Sequence, residues 1–245
     1  MTDRDFDRLA AEHAAGWLAD AVSLGRSLDW QGFGHDETLH AVDAATLPPE
    51  ASQAALAWTA PGLRPLLADR LRDRRGGPAV VLDVKAIVRR RLEVERLSSE
   101  EVVTLGRLEV SNVLIHELGH ARAAEARGVT LPVGVTLPTL LRSAATPTLP
   151  AVEDRSHADD WIRAYCHLSD RAARTLWPHR WWLNACRWDV SGYVEGHVSE
   201  LLAALTPELG TDEPIVSLLR RDPPELFTAL FQTLVARRDA ARLAA

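Results

Sequence analysis

His116-Glu117-Leu118-Gly119-His120 places two imidazoles four residues apart, with a carboxylate directly after the first. On an α-helix residues i and i+4 share a face, so both rings point the same way and can converge on one metal ion. Hydrolytic zinc chemistry needs three protein ligands and one open position, at which water loses a proton near neutral pH to a neighbouring carboxylate. His116 and His120 are therefore candidate ligands for one Zn2+ per chain, and Glu117 is the candidate catalytic base.

The third ligand must come from elsewhere. A glycine and a third histidine three and six residues after His120 would extend the motif along the same helix, but Ala123 and Ala126 stand there. Glu125, five residues past His120, points about 140° around the helix and cannot reach the same ion. His157 is the best candidate, because Ser156 makes an N-cap and a histidine in the first turn of a helix is held neutral by the positive dipole end, as metal binding requires. Four carboxylates remain as alternatives: Glu153, Asp154, Asp189 and Glu195. Glu195 has Tyr193 and His197 beside it, either of which would offer a donor to a developing oxyanion.

The motif needs a helix to carry it. Ser98 and Glu101 stand at capping-box spacing, and Val102, Val103, Leu105, Val110, Val113, Leu114, Ile115 and Leu118 continue a helical pattern that Gly128 would stop. Upstream, apolar spacing predicts an amphipathic helix over 5–28, broken by Gly32 and Gly34. Residues 35–75 are alanine-rich and read as mostly helical between Pro48, Pro49, Pro61 and Pro65. After Gly76-Gly77-Pro78, the β-branched run 79–88 predicts a strand, with a second around 92–94. Residues 128–150 repeat GVTLP and read as an extended connector, and helices are expected over 156–176 and, in three or so pieces, onward to the end. Five of the eight tryptophans fall within 161–188; most read as core, while Trp161 lies one turn from His157 and could wall a substrate pocket.

Composition narrows the class. A 47% apolar content over 245 residues supports a packed core, and a net charge of −6 offers no basic field for a nucleic acid. Cys166 and Cys186 form neither a disulfide framework nor a CxxC zinc ribbon, no leader is evident behind Met1, and no apolar run spans a bilayer. The expectation is a cytoplasmic protein without a membrane partner.

HELGH followed by the separate element H157-Ala-Asp-Asp-W161 resembles the SprT-like zinc metallopeptidases, whose third ligand comes from a short His-Gly-x-x-aromatic element after the catalytic helix. Ala158 replaces the usual glycine, and the gap from His120 to His157 is long; the resemblance covers roughly residues 79–176. It implies a zincin-like core, a peptide or protein substrate, and peptide-bond hydrolysis by a zinc-bound water activated by Glu117. The expected fold is α+β and predominantly helical, with a small sheet beside the HELGH helix and an all-helical C-terminal half. Its expected divisions are an N-terminal helical region over 1–75, a catalytic core over 76–176 and a C-terminal helical region over 177–245, either separate or parts of one domain. The alternative is a zincin-fold binding or assembly module without peptidase activity; an intact Glu117 favours the enzyme, since metal binding alone does not require it.

Overall fold

The structure is a computed structural model that describes residues 1–29, 39–46, 57–60, 79–128, 159–175, 190, 194 and 196–244. It is α+β and mostly helical. In chain order the elements are α1 (Asp3–Leu28), β1 (His40–Asp43), β2 (Ala57–Ala60), β3 (Ala79–Leu82), α2 (Val84–Arg91), α3 (Ser99–Ala126), α4 (Asp159–Thr175), α5 (Val198–Leu205), α6 (Ile215–Leu219) and α7 (Glu225–Ala244).

The motif helix α3 begins where its cap predicts. Ser98 Oγ accepts from Glu101 N at 3.3 Å, and Glu101 Oε2 accepts from Ser98 N at 2.8 Å, so two otherwise orphaned donors are satisfied reciprocally. At the other end the helix runs out at Ala126, and Gly128 takes a left-handed φ of 68° that closes the turn.

Helix α1 packs along α3 in parallel. Trp17 lies over Gly106 and donates its Nε1–H to the Val103 carbonyl at 2.9 Å. Asp20 pairs with Arg107 at 3.0 Å, and Gly25 sits against Leu114 and Leu118. Glycine at 106 is a packing requirement, since an added Cβ would come within 3.0 Å of the indole.

The sheet differs from expectation in an instructive way. Its order is β1-β3-β2, with β1 parallel to β3 (His40 opposite Ala79, Asp43 opposite Leu82) and β2 antiparallel to it (Ala57 opposite Leu82). Val80, Val81 and Leu82 are successive and all buried, so both faces of the central strand are covered. Only the first four residues of the expected 79–88 strand are strand. Asp83 then accepts from Ala86 N at 2.9 Å as an N-cap, and Val84, Ile87 and Val88 bury one face of α2. The second strand expected around 92–94 is absent: Leu92 caps α2, and Val94–Arg96 form a 3-10 turn. Within 35–75, read as mostly helical, the described pieces include both edge strands.

Helix α4 crosses α3, and α6 packs against both. Buried apolar residues from α1 through α7 form one continuous cluster with α3 running through it. The described C-terminal elements are helices, as expected, and among the described residues no helix is long and apolar enough to cross a membrane.

On α4, Arg163 Nε donates to Glu208 Oε2 at 2.8 Å, and His167 Nε2 stands 3.3 Å from the same carboxylate. Burial pushes the His167 pKa down to about 4 against the pull of Glu208, whose charge Arg163 already engages. The ring is therefore neutral in the fold, whereas in the unfolded chain it takes up a proton near pH ~6.5. The unfolded state binds more protons between those values, so stability is full above about pH 6.5 and falls by at most about 3 kcal/mol as pH drops toward 4. Denaturant midpoints measured from pH 7 to 4 should decline less steeply in His167→Asn; an unchanged slope would assign the acid sensitivity to other groups.

Candidate metal centre

From residue 110 to residue 123 every position of α3 is buried except two, His116 and His120, which are partly exposed. A helix enclosed on all sides is a core element. Within 110–123 this one opens to its surroundings at the imidazole pair. Ile115 and Leu118, on either side of the motif's first turn, are packed into the core.

The two rings converge. His116 Nε2 and His120 Nε2 are 3.3 Å apart, with ring centroids at 5.0 Å and planes 64° apart. Two nitrogens bound at about 2.05 Å to a tetrahedral ion stand about 3.3 Å from each other, so the pair has the bite that zinc needs. Spacing of this kind also suits one ring donating N–H to the other; binding of a cation would displace that proton. Glu117, between them in sequence, is 7% exposed, a side chain kept largely from bulk water.

Helix α4 supplies the wall behind the rings. Trp161 stacks on His120 (centroids 5.1 Å, planes 21° apart) and meets His116 edge-on at 4.8 Å. Its Nε1–H donates to the His116 carbonyl at 3.2 Å. Tyr165, one turn further along α4, stacks on Trp161 at 5.3 Å and donates its hydroxyl to Asn112 Oδ1 at 2.8 Å. Asn112 lies one turn before His116, so residues 112, 116 and 120 make a polar ladder on one face of α3. Gly119 is what lets the helices approach: an added Cβ would sit 3.3 Å from Trp161 Nε1 and 3.5 Å from Tyr165 Cβ.

Trp161 is fully buried, so it is no wall of an open pocket. Tyr165 and Asn112 were not singled out by sequence. Their signals were present as an aromatic pair at i, i+4 on α4 and an amide four residues ahead of His116.

At the start of α4, Asp160 pairs with Arg127 at 3.0 Å, tying the end of the motif helix to the helix that carries Trp161. Burial raises the Asp160 pKa, against the opposing pull of Arg127. Glu125 turns away from the histidines to pair with Arg122, as its helical angle requires.

His157 and the alternative ligands Glu153, Asp154, Asp189 and Glu195 lie outside the described residues, as does Tyr193. His197 precedes α5 and faces Glu200 at 3.4 Å. Among the described residues no group of three or more His, Cys, Asp or Glu side chains is placed to hold a metal ion. The chain matches no protein-family model, no curated protein and no solved structure.

Proposed function

We propose that the chain is a zinc-dependent peptidase of the SprT-like type, acting on a peptide or protein substrate. The observation that supports this most is the 3.3 Å separation of His116 Nε2 and His120 Nε2, at the two partly exposed positions of an otherwise buried helix segment. His116 and His120 would hold the ion, and His157, two residues ahead of α4, is the proposed third ligand. Bound zinc would lower the pKa of water toward neutrality and polarise the scissile carbonyl.

The chain's own residues do the rest. A carboxylate oxygen of Glu117 takes the proton of the attacking water and returns it to the leaving amine nitrogen, a role that suits a carboxylate adjacent in sequence to a ligand. Its near-complete burial keeps competing water from the proton path. Trp161 and Tyr165 exclude water from the rear of the imidazole pair.

The test is hydrolysis of an unfolded protein substrate before and after chelation. Activity should vanish on zinc removal and return on its restoration, and His157→Ala should lose both zinc and activity. Wild-type protein that holds zinc but cleaves nothing would favour the binding module; full zinc affinity in His157→Ala would remove that residue from the site.

A further inference from the structure

We infer that Trp161 is the positioning residue of this centre: it sets the two imidazoles at their metal-binding separation before any ion arrives. The inference rests on the zinc reading above and adds to it the group that makes the ligand pair competent. Histidines at i and i+4 on an open helix face sample several rotamers, and ordering both costs entropy that metal binding would otherwise supply. Here the ordering is built in. The indole face lies along the His120 ring and its edge meets the His116 ring, so both imidazoles turn against one rigid surface.

The indole is itself fixed at two points. Its Nε1–H is held by the His116 carbonyl and its ring stacks on Tyr165, which Asn112 on the motif helix holds in turn. The hydrogen bonds therefore begin and end on α3, one turn apart, and anchor the wall to the helix that carries the ligands. Gly119 belongs to the same device. A Cβ there would stand 3.3 Å from Trp161 Nε1, so a side chain would press the indole back by a few tenths of an ångström. The glycine of HELGH thus reads as clearance for Trp161, since it lies within a regular helix and needs no special backbone conformation.

Chelator competition with zinc alone tests this, with cobalt(II) absorption as a second readout of ligand geometry. Trp161→Phe keeps an aromatic face and loses the indole N–H and part of the stack; it should bind zinc about tenfold more weakly and shift the cobalt spectrum, as outer partners of metal ligands do when removed. Gly119→Ala keeps Trp161 and displaces it, and should weaken binding by a smaller factor. Phe6→Leu is the control. Phe6 lies 19 residues, about 28 Å of helix, before the point where α1 meets the motif at Gly25, so it should lower the melting temperature and leave zinc affinity unchanged.

Folded Trp161→Phe or Gly119→Ala with wild-type affinity and spectrum would overturn the inference while leaving the zinc site intact. An equal loss in Phe6→Leu would overturn it too, as general loosening. Wild-type protein that binds no zinc would end the zinc reading itself, and this inference with it.

Discussion

Glu117→Gln is expected to retain zinc and lose hydrolysis by about 10²- to 10⁴-fold, the usual worth of a positioned general base. The substitution keeps the shape of the side chain and removes only its capacity to accept a proton. Because Glu117 is not among the proposed ligands His116, His120 and His157, zinc content should stay at the wild-type value. Turnover of a fluorogenic peptide and metal content of the same preparation decide the matter together. Wild-type turnover in Glu117→Gln would mean that another group handles the proton; joint loss of zinc and turnover would make Glu117 a ligand or a structural residue.

A second large effect is expected far from the histidines. Asp29, at the end of α1, has a fully buried side chain that accepts from Arg122 Nε at 2.5 Å and from Ile215 N at 3.3 Å, with Arg171 Nη1 at 3.7 Å. One carboxylate thus joins α1, the motif helix, α4 and the start of α6. Removing it leaves two largely buried guanidiniums without their shared anion. Breaking a buried pair from one side costs about 3–5 kcal/mol. For a chain of this size that is a drop of about 10 °C in melting temperature, the expected result for Asp29→Ala by calorimetry. A change of a degree or two would show that the network contributes little beyond its own desolvation. Replacing the acid and Arg122 together, as Asp29→Leu with Arg122→Met, should recover much of the loss, since apolar substitutes avoid the uncompensated charge.

Local signals were legible in the sequence and distant ones were not. The capping box at Ser98 and Glu101, the apolar run behind it and the glycine stop near 128 all act within a few residues, and α3 follows them closely. The expected helix over 5–28 is present, starting two residues earlier behind a Thr2 cap. The edge strands β1 and β2 could not be read: HAVD and AWTA are four residues each, rich in alanine, and become strands only by pairing with β3. The reverse happened at 84–88, where β-branched residues joined a helix because Asp83 caps it and the spacing of Val84, Ile87 and Val88 suits a buried stripe.

The site divides in the same way. His116, Glu117 and His120 announce themselves by type and spacing within five residues. Trp161 stands out in the sequence only as a neighbour of His157, whereas in the fold it is buried with its ring against both imidazoles. Asp29 and its two arginines are 93 and 142 residues apart in the chain, a relation that only the packed structure reveals.

The central claim is that His116 and His120 share a zinc ion. X-ray absorption at the zinc edge of the purified protein measures that directly. The account predicts about one zinc per chain with imidazole nitrogens at about 2.0–2.1 Å, and loss of that shell in His116→Ala. Protein that retains no zinc, or zinc in a shell that His116→Ala leaves unchanged, would contradict it.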